Sequence, residues 1–127
     1  MEPVLNNSPR FFQKLASGQV ELFRLSWQGD YPDCENFLQL FSSELIGGAN
    51  RAGYSSAEYD ELFSEYLLMP PGAEREAAIE NMVRTVTDDC PWICESVPVA
   101  FILKHSRLVN LFPHEFSFGA WKYLAAE

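Results

Sequence analysis

The stretch Arg24-Leu-Ser-Trp-Gln-Gly-Asp-Tyr-Pro-Asp-Cys-Glu-Asn-Phe37 decides how this chain is read. Just before and within its start, Val20, Leu22, Phe23 and Leu25 form a short apolar run after the punctuation Ser17-Gly18. Such a run predicts a buried strand over residues 20–26, in a mixed or parallel sheet. Trp27 and Asp30 then fall at its carboxyl end. In open α/β sheets that edge lines the ligand crevice, so a large π surface beside a carboxylate predicts a pocket for something cationic and partly apolar. The competing reading is that Asp30 and Asp33 only shape a turn around Pro32.

Outward from this stretch the chain alternates helical and strand-like segments. Ser8-Pro9 has the grammar of a helix start, Phe11, Phe12 and Leu15 supply an apolar face, and Gly18 stops it. A short helix is expected from about Asp33, as N-cap, through Phe37, Leu38, Leu40 and Phe41. Gly47-Gly48-Ala49-Asn50 reads as a flexible loop. Ser55 and Glu58 fit a capping box, and Tyr59, Leu62, Phe63, Tyr66 and Leu67 follow at helical spacing. Pro70-Pro71-Gly72 breaks that helix. Residues 73–88 give the clearest amphipathic pattern, with Ile79, Met82, Val83 and Val86 on one face. After Pro91, residues 97–104 predict a strand with Pro98 near its start, residues 107–112 are a second apolar run, and residues 121–125 a last strand. The expected fold class is therefore α/β: a mixed sheet with packed helices, in three layers.

Composition narrows the partners. With 18 acidic against 9 basic residues the chain carries a net charge of −9, which disfavours nonspecific binding to nucleic acid or to an anionic membrane surface. The acidic groups are spread over residues 58–65 and 74–80, as on solvated helix faces. The longest apolar stretch, residues 97–103, is far short of the roughly 20 residues that span a bilayer. Residues 1–17 contain no basic segment followed by an apolar core, so no export signal is read there.

Four blocks together resemble one family. Trp27-Gln-Gly-Asp30-Tyr-Pro-Asp-Cys-Glu-Asn-Phe37-Leu38 is similar to the W-x-x-D-Y-x-x-P-x-x-F-L segment of the extracellular solute-binding proteins of family five, the oligopeptide- and dipeptide-binding receptors of ABC importers. The block Gly53-Tyr54-Ser55-Ser56-Ala57-Glu58-Tyr59-Asp60-Glu61-Leu62 resembles their "YSNPEYDxL" helix start, and Glu74-Arg75 their "xER" helix. Asp89-Cys90-Pro91-Trp92-Ile93 resembles the "EDAPWIP" turn, and residues 118–124 the closing strand. The blocks stand in the family's order and cover nearly the whole chain.

The resemblance implies one partial lobe of a two-lobe binding protein. Residues 1–110 would be part of the carboxyl-terminal ligand-binding lobe, and residues 111–127 a tail that returns to the first lobe. It implies capture of a peptide or other small solute without catalysis, delivery to an ABC-importer permease, and a periplasmic or extracellular location, with any signal peptide upstream of Met1. Asp30 would receive the α-ammonium of a bound peptide, Trp27 would wall a side-chain pocket, and the main chain around Gln28 would pair with an extended peptide. Arg24 would lie near the ligand carboxylate in one reading and is a surface ion-pair partner in the other.

Two other function classes stay open from the residues. A hydrolase would have to be assembled from Cys90 or Cys94 with His105 and Asp30, yet none of these sits in a nucleophile-elbow context. An interaction module would bind no solute of its own, and would self-associate through the lobe interface carried by Phe116, Phe118, Trp121 and Tyr123. No metal or cofactor is expected: Cys90 and Cys94 are one residue too far apart for C-x-x-C, and His105 and His114 lack zinc spacing. The three cysteines, Cys34, Cys90 and Cys94, are expected to be small buried thiols.

Overall fold

The computed structural model describes residues 4–111 and 120–126. Helices dominate it. They are α1 (Ser8–Ala16), α2 (Glu35–Leu38), α3 (Ala57–Leu67) and α4 (Ala73–Asp89), with 3-10 turns at Gln39–Phe41, Ser43–Leu45 and Ala120–Tyr123. The sheet among the described residues is one antiparallel pair, β1 (Leu108–Val109) with β2 (Ala125–Ala126), in the register Leu108 to Ala126 and Val109 to Ala125.

The α3–α4 pair builds the core. Tyr59, Phe63 and Tyr66, spaced four and three apart, line one face of α3 and are buried with Ala78 and Met82 of α4 and Leu38 of α2. Residues at this spacing share one helical face, which is why the sequence pattern finds them. The α4 expectation is met over residues 73–89 except for Val83, which is exposed on the far side. The Tyr59 hydroxyl donates to the Leu38 carbonyl at 2.7 Å, joining α2 to α3 and satisfying a buried polar group on each side. The Tyr59 and Phe63 rings stack at 6.3 Å, and Phe41 meets Trp92 at 4.5 Å.

Helix ends follow capping chemistry with small shifts. Asn7, not Ser8, caps α1 by accepting from Arg10 N, and Ser8 becomes its first residue. Ser56, not Ser55, caps α3, because it adopts extended backbone and its hydroxyl accepts from Tyr59 N at 3.3 Å. Helix α4 ends where Cys90 turns left-handed at φ 48, directly before Pro91.

Several sequence expectations are corrected here. Of the expected α/β class, the described residues keep the combination of helix and sheet, but helices dominate and the sheet is one antiparallel pair rather than a mixed sheet with packed helices. Residues 20–26 form no strand, although Phe23 packs edge-on against Phe11 at 6.3 Å. Residues 97–104 form none either, and Val97, Phe101 and Leu103 stand almost wholly exposed. The cause is common to both: a strand exists only by hydrogen bonding to a neighbour, and neither segment has a ladder partner among the described residues. The apolar run at 107–112 contributes β1, and the last strand expected over 121–125 is reduced to β2, with a 3-10 turn occupying Ala120–Tyr123. The helix expected from Asp33 begins at Glu35 and tightens into a 3-10 turn at Gln39. The cysteines are exposed free thiols rather than buried ones.

The loop expected to be flexible at 47–50 is instead pinned. Asn50 is fully buried; its Nδ2 donates to the carbonyls of Ser42 at 2.9 Å and Tyr54 at 2.8 Å, and its Oδ1 accepts from Gly53 N at 3.0 Å. Removing that side chain strands three main-chain groups. Asn50→Ala is expected to destabilise the fold by about 2–3 kcal/mol, read by urea unfolding followed through helical circular dichroism.

Candidate functional site

Asp33 docks the 24–37 stretch on the helical core. Its Oδ1 accepts from the Glu35 amide at 2.9 Å, from the Tyr66 hydroxyl at 2.8 Å and from Arg75 Nη2 at 3.0 Å. Arg75 also lies over the Tyr66 ring, 4.3 Å from its centroid. The Arg75 guanidinium, then the Glu35 amide and the Tyr66 hydroxyl, hold the Asp33 carboxyl at about 2, well below the usual carboxylate range. Burial, with the Asp33 carboxylate beside it, pushes the Tyr66 hydroxyl up to about 12. One carboxylate thus ties the turn to both α3 and α4. It is a framework group, spent on holding the stretch in place.

Asn36 then organises the other end of the turn. It is 1% exposed, and its Oδ1 accepts from Trp27 Nε1 at 2.8 Å and from the Asp30 amide at 3.3 Å. Both partners are obligate donors, so the atom between them must be the amide oxygen. Trp27 and Asp30, nominated from the sequence as neighbours in a ligand crevice, are brought to one buried acceptor. Trp27 remains 40% exposed, and the Asp30 side chain faces water with no described residue bonded to its carboxylate. Their place at a strand end is corrected: a turn, not a sheet edge, presents them.

The remaining candidates divide. Gln28 lies between Trp27 and Asp30 in an exposed, irregular segment. Arg24 pairs with Glu95 at 2.6 Å, with the two side chains 80% and 58% exposed, as its surface ion-pair reading expects. Two surface hollows are lined by other residues, one by Ser42, Asp60 and Phe63 among them, the other by Pro32, Asp33, Cys34 and Arg75 among them. Neither of these two hollows is lined by Trp27 or Asp30.

Of the groups weighed for a hydrolase, His105 accepts from its own neighbour's amide, Arg107 N, through Nδ1 at 3.1 Å. Among the described residues no group of three or more His, Cys, Asp or Glu side chains is arranged to hold a metal ion, and no helix is long and apolar enough to cross a membrane. Phe116 and Phe118 lie outside the described residues.

Sequence reasoning missed Asn36. A signal was present: Asn36 and Leu40 are four residues apart, and the face that buries Leu40 also buries Asn36. A polar residue on an apolar face has to be satisfied internally, which makes it a candidate for holding neighbouring donors.

Comparison with known proteins gives a consistent direction. The chain is 26% identical over 120 residues to heme-binding protein A of Haemophilus influenzae, an alignment covering 94% of this chain and 22% of that protein. It is 27% identical over 81 residues to the oligopeptide-binding protein OppA of Bacillus subtilis, covering 64% of this chain and 15% of that protein. The chain therefore spans about a fifth or less of the length of these curated relatives. No protein-family model matches it, and no solved structure matches it. Both relatives are named for the solute they bind.

Proposed function

We propose that this chain is part of a solute receptor that captures a small cationic solute, a peptide being favoured, without transforming it. The observation that carries this reading is the convergence of the Trp27 indole N–H and the Asp30 main-chain amide on Asn36 Oδ1, in two residues that both stay exposed. A carboxylate of this kind pairs with an ammonium through charge-assisted hydrogen bonds, and an indole flanks the ligand's apolar part. The similarity to one protein named for heme and another named for oligopeptides supports solute binding as the class. The choice of peptide rests on Asp30 and Trp27.

In this reading residues 1–110 belong to one ligand-binding lobe and residues 111–127 to a tail that returns to a first lobe. The complete receptor closes two lobes around the solute and presents it to an ABC-importer permease outside the cytoplasm. Gln28 contributes main-chain pairing. Arg24 is assigned to its ion pair with Glu95 rather than to the ligand.

A second reading, that the chain is an interaction module, is favoured by one observation: the uncharged run at 97–103 presents Val97, Val99, Phe101 and Leu103 to solvent. Patches of that kind are normally covered by another protein surface.

Thermal unfolding with and without a mixed pool of di- to pentapeptides separates the two. A ligand that binds only the folded state must raise its midpoint, by about 2.7 kcal/mol of stability at a hundredfold excess over Kd. The expected result is a rise that disappears in Asp30→Ala. Because one lobe cannot close around the solute, the rise is expected to be small or absent in this chain alone and larger in a two-lobe receptor. A rise that survives Asp30→Ala would overturn the site. No rise in either form would leave the interaction reading.

A further inference from the structure

The geometry points to Asn36 as the residue that makes the Trp27–Asp30 face selective for cations, by consuming the two N–H donors that an anionic ligand would need. This inference rests on the solute-binding reading above. The indole N–H of Trp27 and the main-chain N–H of Asp30 are both directed at one buried oxygen, at 2.8 and 3.3 Å. What the two residues then offer outward is the Asp30 carboxylate and the indole ring. The first accepts hydrogen bonds, and the second presents a negative π face. An ammonium finds a counter-charge, acceptors and a ring to rest on. A carboxylate of the same size finds like charge, with the indole N–H and the Asp30 amide already engaged by Asn36.

Burial makes the arrangement durable. Asn36 is nearly solvent-free and carries further bonds that lock its backbone: its amide donates to Asp33 O at 3.2 Å, and its carbonyl accepts from Gln39 Nε2 at 3.2 Å. Through Asp33 the same turn is fastened to Tyr66 and Arg75. Rotating Asn36 away would take the acceptor from two N–H groups and leave a buried amide without these partners. The side chain therefore acts at a distance from any ligand: it is a positioning residue, and it sets which sign of charge the face receives.

The test uses the whole 15N-labelled chain with two matched probes, phenethylamine as ammonium and 3-phenylpropanoate as carboxylate, titrated by NMR. The Trp27 indole signal is assigned by its loss in Trp27→Phe. In the native chain and in Asn36→Asp, which keeps an acceptor, the Trp27 indole proton is expected to exchange with water at least about tenfold more slowly than in Asn36→Leu, as a hydrogen-bonded donor should. The preference for the ammonium probe is expected to fall by at least about tenfold in Asn36→Leu, the equivalent of one lost orienting interaction.

A merely structural role would shift stability without moving the ratio between two probes of opposite charge. An unchanged ratio in folded Asn36→Leu, or an indole proton that exchanges as fast in the native chain as in that variant, overturns the inference. Should Asn36→Leu fail to fold, Asn36→Ser, whose hydroxyl is too short to reach both donors, replaces it with the same expectations. If the native chain binds neither probe, the selectivity proposal fails for this face, while the receptor reading is decided separately by the peptide titration of a two-lobe receptor. The indole exchange then still decides whether Asn36 holds the face.

Discussion

Tyr59→Ala is expected to cost about 4 kcal/mol, enough to unfold a domain whose whole stability is of the order of 5–15 kcal/mol. Tyr59 is fully buried at the centre of the core, between Phe41, Tyr54 and Phe63, and α3 and α4 pack around it. Truncation removes the ring from water-excluded contacts and opens a cavity that rigid neighbours fill only in part. It also leaves the Leu38 carbonyl without its 2.7 Å donor. The Phe variant separates the two terms: Tyr59→Phe keeps the ring and loses only the hydrogen bond, for about 1–2 kcal/mol. Urea unfolding followed by far-UV and near-UV circular dichroism measures both. Near equality of the two variants would mean that the ring is not the keystone of this core.

Asp33→Asn is expected to lower stability at neutral pH by about 2 kcal/mol, a figure reduced for the side chain's 34% exposure and the solvent screening that follows from it. It should also change the acid response. The folded Asp33 carboxyl titrates at about 2 against a usual value of 3.8, so its folded pKa is depressed. A depressed carboxyl contributes stability that is present in full above the unfolded value and is lost as pH falls through the folded one. The native chain should therefore lose this contribution between about pH 4 and pH 2, and Asp33→Asn should show a shallower loss across that window. At the alkaline end Tyr66, pushed up to about 12 from 10, works in the opposite sense: its contribution holds below pH 10 and fades as pH rises towards 12. Melting curves at intervals from pH 2 to 7 test the acid arm. Parallel profiles for the native chain and Asp33→Asn would contradict the assignment of Asp33 as the clamp.

The two perturbations probe different layers of one design. Tyr59 holds the helices to each other, and Asp33 holds the 24–37 turn to the helices. The candidate face inherits its order from both. Because the Asp30 side chain is exposed, Asp30→Ala should leave the melting point nearly unchanged, whereas Asp33→Asn should weaken both stability and any solute affinity.

Helices were the legible part of this chain. The spacing of Tyr59, Phe63 and Tyr66, the apolar positions Ile79, Met82 and Val86, and the breaks at Gly18, Pro70-Pro71-Gly72 and Pro91 are local signals, and a helix satisfies its own backbone within a few residues. Trp27 and Asp30 were legible as a pair for a similar reason, being three residues apart in a turn marked by Pro32. The apolar runs at 20–26 and 97–104 misled because strand propensity states only what a segment could do beside a neighbour; the described chain supplies none.

The roles of Asn36 and of the Asp33–Tyr66–Arg75 clamp became visible only in the tertiary structure. In sequence Asn36 is one polar residue in a polar turn, and Asp33 a plausible N-cap; Asp33 and Arg75 stand 42 residues apart, and Asp33 and Tyr66 33 apart. What selects their partners is burial: once α3 and α4 close, each polar group shut away from water must find a donor or acceptor in the space left to it, and that space is known only after the chain has folded. The sequence by itself determined which segments are helical and nominated Trp27 and Asp30 as the pair on which the proposed site rests. The packed structure determined how those side chains are held, through one buried amide oxygen and one clamped carboxylate, because hydrogen bonds between distant residues depend on a geometry that no local pattern encodes.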